Sequence, residues 1–363
     1  MKAAVCRAPG HGFEVVEVEL AEPVGKEVLI DVRASGLCHS DSHIAADGFD
    51  YEFPSVLGHE VAGVVLETGP DVTEFRQGDH VAASLIQYCG HCEACLDGRV
   101  YQCWNPSETQ RGQDEPPRLT LDGEPLFQYS ALSGFAEKVL IHENQLARIP
   151  NEIPFSQASL LGCGVITGAG AVINSAGVRP GQSVAIVGCG GVGLNAVQAA
   201  RLAGAETIVA IDMIPGKLEL ARKFGATHTV NSTVRDPLEA ILEVTPRGVD
   251  HAFEMIGLAQ TCRLAIDAAR VGGCVYVIGL QKPGVSIPIY PWDDLLAGQK
   301  RIIGVTMGAS NPRKDIPMYA RMYLDGRLNL DDLVSREIAL HEINDAYAAL
   351  ERGEVARNVI TSF

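Results

Sequence analysis

The 363-residue chain carries 45 acidic against 29 basic side chains, a net charge of −16, and 47% of its residues are hydrophobic. That balance supplies enough apolar material for a packed core and excludes a long disordered chain, while the negative surface argues against a phosphate backbone or an anionic membrane as the main partner. The length exceeds one typical domain and suits two.

Residues 1–24 interleave Glu14, Glu17, Glu19 and Glu22 with short apolar pairs and hold no continuous apolar core, so they do not read as a secretory signal. From there to Pro150 the pattern is short β-rich runs, at 28–32, 61–66 and 80–83, punctuated by Gly, Pro and Asp. This predicts an irregular all-β body with long loops. Residues 104–134 are polar and Pro-rich and are expected to form one long functional loop. The uncharged stretch 153–178 is spoiled as a membrane span by its Gly, Ser, Thr and Asn.

After Pro154 the texture changes. An apolar run at 183–187 stops at Gly188, and an Ala-rich helix is expected over 194–203. Strand and helix then alternate: strand 207–211, helix 217–224, strand 227–230, helix 237–244, strand 249–253, helix 262–269, and strands 274–279 and 301–305. Such alternation implies a parallel sheet covered on both faces. Residues 317–363 return to helical and short β segments, without repeats.

Gly188-Cys189-Gly190-Gly191-Val192-Gly193 follows a strand and opens a helix, the context in which glycines let backbone N–H groups approach a pyrophosphate. Asp212 ends the next strand; an acid there accepts hydrogen bonds from ribose hydroxyls and repels a 2′-phosphate, which favours NAD over NADP. Ten cysteines without an export signal point to a reducing cytoplasm and to metal rather than disulfides. Cys89, Cys92, Cys95 and Cys103 offer four thiolates to one tetrahedral ion, and four protein ligands describe a structural zinc. The competing readings are unrelated cysteines and a nucleic-acid zinc ribbon, the latter disfavoured by charge, with only Arg99 and Arg111 nearby.

A third cluster, Cys38-His39-Ser40-Asp41-Ser42-His43 followed by Gly58-His59-Glu60, contains zinc-type ligands, with Asp41 able to orient a ligating imidazole. From spacing alone this is open between a metal site and ordinary hydrogen-bonded residues, and Cys163 in Leu161-Gly162-Cys163-Gly164 reads equally as a small core residue.

Taken together, Gly36-Leu37-Cys38-His39-Ser40-Asp41, Gly58-His59-Glu60, the four-cysteine lobe, Leu161-Gly162-Cys163-Gly164, the 188–193 turn and Asp212 resemble, in order and over nearly the full length, the zinc-dependent medium-chain alcohol dehydrogenases. The resemblance implies an α/β chain. A GroES-like, mostly-β catalytic domain (1–164 and 308–363) carries both zinc sites, and a doubly wound parallel-sheet Rossmann domain (165–307) binds NAD, with the active site between them. It implies that Cys38, His59 and Cys163 bind a catalytic zinc, with Glu60 beside it, and that a proton leaves through Ser40 and His43. It places His39 and Arg357 on the cofactor pyrophosphate and Lys217 on the adenosine ribose; Lys217 reads equally as a solvated helix charge, and Ser40 and His43 as loop hydrogen-bonding residues. Cys6, Cys189, Cys262 and Cys274 match no ligand position and read as small packing residues.

The segment from Cys103 to Phe135 resembles the longer-loop, mostly dimeric branch that includes glutathione-dependent formaldehyde dehydrogenases. Members that take the thiol adduct place an acid and an arginine where this chain has Phe49 and Ser107; Asp47, Asp50 and Arg111 are the nearest substitutes. Leu85, Phe49, Ile278 and Leu280 instead suggest an apolar slot for aromatic or medium-chain primary alcohols, with Ile278 and Leu280 also beside the cofactor. The expected partners are therefore a small-molecule alcohol or aldehyde and a second copy of the chain, or a tetramer, paired through edge strands near 285–290 and 301–305. The alternatives are a thiol-adduct formaldehyde dehydrogenase, an enzyme with permanently bound NAD, and, remotely, a non-catalytic dinucleotide-binding regulator.

Overall fold

The computed structural model describes residues 1–112, 114–353 and 356–363, and the chain divides into two units, Met1–Gly164 with Ser310–Phe363, and Val165–Ala309. The first unit is built on the strand Glu27–Gly36, in which Val28, Ile30, Val32 and Ala34 are buried while Arg33 is exposed, the period-two pattern of a strand with one face on a core. It pairs antiparallel with Glu60–Thr68 and with Lys138–His142. The sheet extends through His80–Ala83 to Leu146–Arg148 on one side and through Asn358–Ser362 to Arg336–Ala339 on the other. A second small sheet, around Lys2–Cys6, and the helices His39–Asp47 and Ile343–Glu351 enclose a core that includes Phe13, Leu57, Phe135 and Tyr347.

In the second unit, six parallel strands lie in the order His228–Asn231, Thr207–Asp212, Ser183–Val187, Val249–Glu254, Ala269–Val277, Arg301–Gly304. Order reverses on either side of Ser183–Val187, the arrangement of a doubly wound sheet whose ligands bind beyond the carboxyl ends of the strands. The helix after the glycine turn starts at Gly191 and runs to Leu202.

Two expectations are corrected. Residues 104–134 do not form one open loop: Leu119–Leu121 and Glu124–Pro125 make a hairpin that pairs with Glu19–Leu20, and Phe127–Gln128 pairs with Ser55–Val56. The hairpin turns on Asp122-Gly123, both at positive φ (54° and 82°), a dipeptide signal that the abundance of polar residues and prolines concealed. Residues 285–290 form no strand: Pro288 offers no N–H to a ladder, and Ile287 and Ile289 pack instead against the second unit's core. The uncharged stretch is a helix, Phe155–Ala176, long and apolar enough to cross a membrane by composition, but 89% of its apolar window is buried inside the protein, as for a core helix.

Candidate metal centre and cofactor turn

Strand pairing assembles the first centre. Gly36 stands opposite Glu60 on one side and Val359 on the other, so the residues flanking these strand ends (Cys38, His59 and Arg357) converge from three distant stretches. A Cβ on Gly36 would lie 2.2 Å from Glu60 Oε2, so this register needs a residue without one. Cys163 arrives from the helix Phe155–Ala176, at a wide π-turn spanning Leu161–Val165. Gly162 lies so close to the strand His80–Ala83 that a Cβ would meet Ala83 O at 1.8 Å. Single π-turns within helices are rare and concentrate at functional sites.

Cys38, His59, Glu60 and Cys163 are all buried, each with one ligand atom within 4.8 Å of the others. His59 Nε2 lies 3.2 Å from Cys163 Sγ, and its Nδ1 is 3.0 Å from Asp41 Oδ1, which also accepts from Gly58 N at 3.1 Å. A carboxylate on Nδ1 selects the tautomer whose Nε2 lone pair points toward the thiols, the orientation a metal requires. Arg357 Nη2 donates to Glu60 Oε1 at 2.8 Å and Nη1 to Leu37 O at 3.2 Å.

The titration behaviour follows from crowding acids in a dry pocket. The hydrogen bond from Cys163 holds the Cys38 thiol well below its usual range, and giving that bond, together with burial, pushes Cys163 well above it. Burial drives Glu60 up to about 7 against the pull of Arg357. Burial also works against charge on His59, but Asp41 and Cys38 outweigh it and raise this imidazole. The pocket thus retains protons that a divalent cation would displace. Glu60 Oε2 is buried without a hydrogen-bond partner among the described residues. Two thiols, an imidazole and a spare carboxylate oxygen fit zinc.

Ser40 and His43 sit three residues apart on the helix His39–Asp47, hence on one face, with Ser40 Oγ 3.6 Å from Cys38 Sγ. His43 Nδ1 is buried with no hydrogen-bond partner among the described residues. His39, half-buried, opens the same helix.

The second centre is local. Sγ–Sγ separations are 4.0 Å for Cys89–Cys95, 3.5 Å for Cys92–Cys95, 3.9 Å for Cys92–Cys103 and 3.6 Å for Cys89–Cys103. Zn–S bonds of about 2.3 Å in a tetrahedron require separations of about 3.75 Å, so the four sulfurs already describe the coordination shell. Backbone N–H groups of Cys89, Cys92 and Asn105 point at the sulfurs, and such a donor from Trp104 brings Cys92 down to about 6.

In the second unit, Gly190 is the N-cap of the helix Gly191–Leu202; among the described residues no side chain caps it and a Cβ there would meet nothing within 4 Å. This leaves an open cradle before the N–H groups of the first turn, Gly191, Val192 and Gly193, which fits a pyrophosphate. Asp212 accepts from Cys189 N at 2.8 Å, Met213 N at 2.8 Å and Ile214 N at 3.0 Å, so it braces the turn as well as presenting an acid at the strand end. Lys217 is half-buried in the helix Pro215–Phe224; Ile278 is half-buried and Leu280 exposed just beyond Ala269–Val277.

Comparison with known proteins identifies the two domain types. Residues 25–151 match the alcohol dehydrogenase GroES-like domain and residues 191–324 the zinc-binding dehydrogenase domain. The chain is 40% identical, over 99% of both chains, to S-(hydroxymethyl)glutathione dehydrogenase of Escherichia coli O6:H1. The chain belongs to the zinc-dependent medium-chain alcohol dehydrogenases. Solved structures agree: an alcohol dehydrogenase zinc-binding domain protein from Burkholderia ambifaria superposes with a TM-score of 0.94 at 40% identity, covering 100% of this chain and 98% of that one. Benzyl alcohol dehydrogenase from Acinetobacter calcoaceticus superposes with a TM-score of 0.93 at 36% identity, covering 100% and 99%. The dehydrogenase is thus a zinc-dependent oxidoreductase of a family that acts on small alcohols with a nicotinamide dinucleotide.

The structure shows what several of the expected residues already hold in this enzyme. Arg357, expected on the pyrophosphate, is 3% exposed and given over to Glu60 and Leu37 O within the first unit. Arg111, a substitute candidate for adduct binding, is spent on structure: it holds Glu27 at 2.6 and 2.9 Å and donates to the carbonyls of Pro116 and Glu22, while Arg118 takes the same carboxylate at 2.6 Å. Phe49 and Leu85 are half-buried against different cores of the first unit, so the slot is not a single wall there. Sequence reasoning missed Tyr129, whose ring stands edge-on to His59 at 5.7 Å, and Tyr51, edge-on to Tyr129 at 5.1 Å. It also missed the Glu60–Arg357 pair. No local pattern announces either, because the partners are brought together only by strand register.

Proposed function

We propose that the dehydrogenase reversibly oxidises primary alcohols, aromatic or medium-chain aliphatic, to aldehydes with NAD. Cys38, His59 and Cys163 would hold the reacting zinc, Glu60 stands by as an exchangeable oxygen, and Cys89, Cys92, Cys95 and Cys103 would hold the structural zinc. When bound, zinc supplies the positive charge that favours a deprotonated hydroxyl, and NAD accepts the hydride. The chain's own part is to keep His59 in the ligating tautomer through Asp41, to hold two thiols and a carboxylate in a dry pocket, and to offer Ser40 and then His43 as the route for the released proton. In the Rossmann unit, the turn Gly188–Gly193 takes the pyrophosphate and Asp212 the ribose.

The observation that carries the substrate reading is the fate of the charged candidates. A glutathione adduct brings carboxylates that need a cation; Arg111 is buried in its bonds to Glu27, and Phe49 and Ser107 occupy the positions where adduct users carry charge. The aromatic row Phe127, Tyr51, Tyr129 leading to His59 supports an aromatic alcohol. The name of the E. coli relative favours the adduct reading, so the test sets the two side by side. Purified zinc-loaded enzyme is assayed with NAD and NADP against benzyl alcohol, hexanol and formaldehyde plus glutathione. Turnover of benzyl and hexyl alcohols with NAD is expected; activity confined to formaldehyde with glutathione overturns the reading.

A homodimer belongs to the same proposal. Among the described residues the edge strand Arg301–Gly304 has no strand on its outer side, and Val271, Tyr290, Trp292, Leu295 and Leu296 are exposed in the same unit, which favours pairing with a second copy. The acidic surface disfavours nucleic acid and membrane partners, and ten free cysteines suit the cytoplasm.

A further inference from the structure

Glu254 is the last residue of the strand Val249–Glu254, 0% exposed, and its side chain does the work of a small hub. One carboxyl oxygen accepts three hydrogen bonds: from Ile256 N at 2.9 Å, Gly257 N at 2.8 Å and Thr261 Oγ1 at 2.7 Å. The main-chain carbonyl of the same residue accepts from Ile278 N at 2.9 Å and Gly279 N at 3.1 Å. The neighbouring Met255 N donates to Val187 O at 2.9 Å, at the entrance to the glycine turn.

These bonds lock three loops at the carboxyl edge of the sheet. A Cβ on Gly188 would lie 2.6 Å from the Ile256 side chain, one on Gly257 2.3 Å from Leu280 O, and one on Gly279 2.1 Å from Gly257 N, so 188–190, 256–258 and 278–281 touch without slack. What the hub holds in place is a rim of exposed apolar side chains, with Ile256 39%, Leu258 48% and Leu280 41% exposed. Asp212 plays a comparable part on the far side of Ser183–Val187, but it keeps 9% exposure and stands at a strand end where a ribose can be reached; Glu254, fully covered, cannot touch a ligand.

We infer that Glu254 is a positioning residue for the dinucleotide: through Ile256, Gly257 and Thr261 it presets the rim against the glycine turn, so that NAD meets a formed surface. The assignment rests on the reading that the turn Gly188–Gly193 binds NAD. Because the cost of ordering the loops is met before binding, losing the hub weakens cofactor affinity and leaves the chemical step intact.

The test uses the full-length, zinc-loaded enzyme and the variants Glu254→Ala, Glu254→Gln and Thr261→Val. It measures the Kd of NADH by its fluorescence, KM for NAD, kcat with benzyl alcohol, and zinc per chain. Glu254→Ala is expected to raise Kd and KM about tenfold while kcat stays within about twofold and both zincs remain. Glu254→Gln, whose amide oxygen can accept the same three bonds, is expected to return both constants to within about threefold of the native enzyme. Thr261→Val, which removes one donor from the half-buried first turn of the helix Ala259–Ala268, falls between them and carries the test if the alanine variant does not fold. Unchanged NADH affinity in folded Glu254→Ala or Thr261→Val overturns the assignment, as does a fall in kcat with KM unmoved. Absence of NADH binding to the native enzyme overturns the cofactor reading itself, which separates the two failures.

Discussion

The two cysteine centres of the first unit are built by opposite strategies. Cys89, Cys92, Cys95 and Cys103 are neighbours in sequence, and the chain wraps around their sulfurs, offering backbone N–H groups to neutralise them. Cys38, His59 and Cys163 come from three distant segments and meet only because strand register and a π-turn deliver them. Their neighbours are charged side chains rather than N–H groups: Asp41 behind the imidazole, Glu60 and Arg357 beside the thiols. A four-thiolate shell closes the ion off and stabilises a loop, whereas a three-ligand set in a dry, charge-balanced pocket leaves a position for chemistry.

The comparison breaks most visibly under ligand removal. Cys38→Ser or Cys163→Ser is expected to leave one zinc per chain, in the four-cysteine lobe, and to lower kcat/KM for benzyl alcohol by roughly a thousandfold or more, because several kcal/mol of transition-state charge stabilisation depends on the ion. Metal analysis with steady-state kinetics checks this, and a fully active single-zinc variant contradicts it. The reciprocal change, Cys92→Ser with Cys95→Ser, is expected to cost about 3–5 kcal/mol of stability and lower Tm by about 10 °C, with turnover per folded molecule retained at low temperature. Calorimetry beside activity at 15–20 °C, an assay range set by roughly that Tm loss, tells the two centres apart.

Asp41→Asn sharpens the contrast at one bond. Loss of the carboxylate behind His59 is expected to weaken zinc at the first centre by about 10- to 100-fold while the lobe keeps its ion. Competition with a chelator, followed by metal counting, reads both at once. The smallest effect lies outside both centres and serves as a control. Burial lowers His142 from 6.5 to about 4, and its Nδ1 accepts from Asn144 N. Its contribution is therefore complete above about pH 6.5 and is lost as pH falls toward 4, where the unfolded chain takes up a proton that the fold refuses. His142→Gln should flatten this part of the pH–stability curve with both zincs in place.

Much of the second unit was legible because its signal is local. The run 183–187, the helix 237–244 and the glycine turn each carry their own period or motif, and the structure places them at Ser183–Val187, Pro237–Val244 and Gly188–Gly193. The strand expected over 274–279 runs instead over Ala269–Val277, and its first half carries Gly272-Gly273 within an irregularity of the ladder with Val249–Glu254. The Asp122-Gly123 hairpin had a clear signal that went unused.

The chain by itself determined the four-cysteine lobe, the glycine turn with Asp212 and the alternation of the parallel sheet, since each is a matter of residues within reach of one another along the backbone. Only the tertiary structure decided that Arg357 neutralises Glu60, that Arg111 and Arg118 are spent on Glu27, and that Glu254 gathers three loops. Those partners are up to 297 residues apart, and which charge meets which is set by strand register and burial, properties that no local window contains.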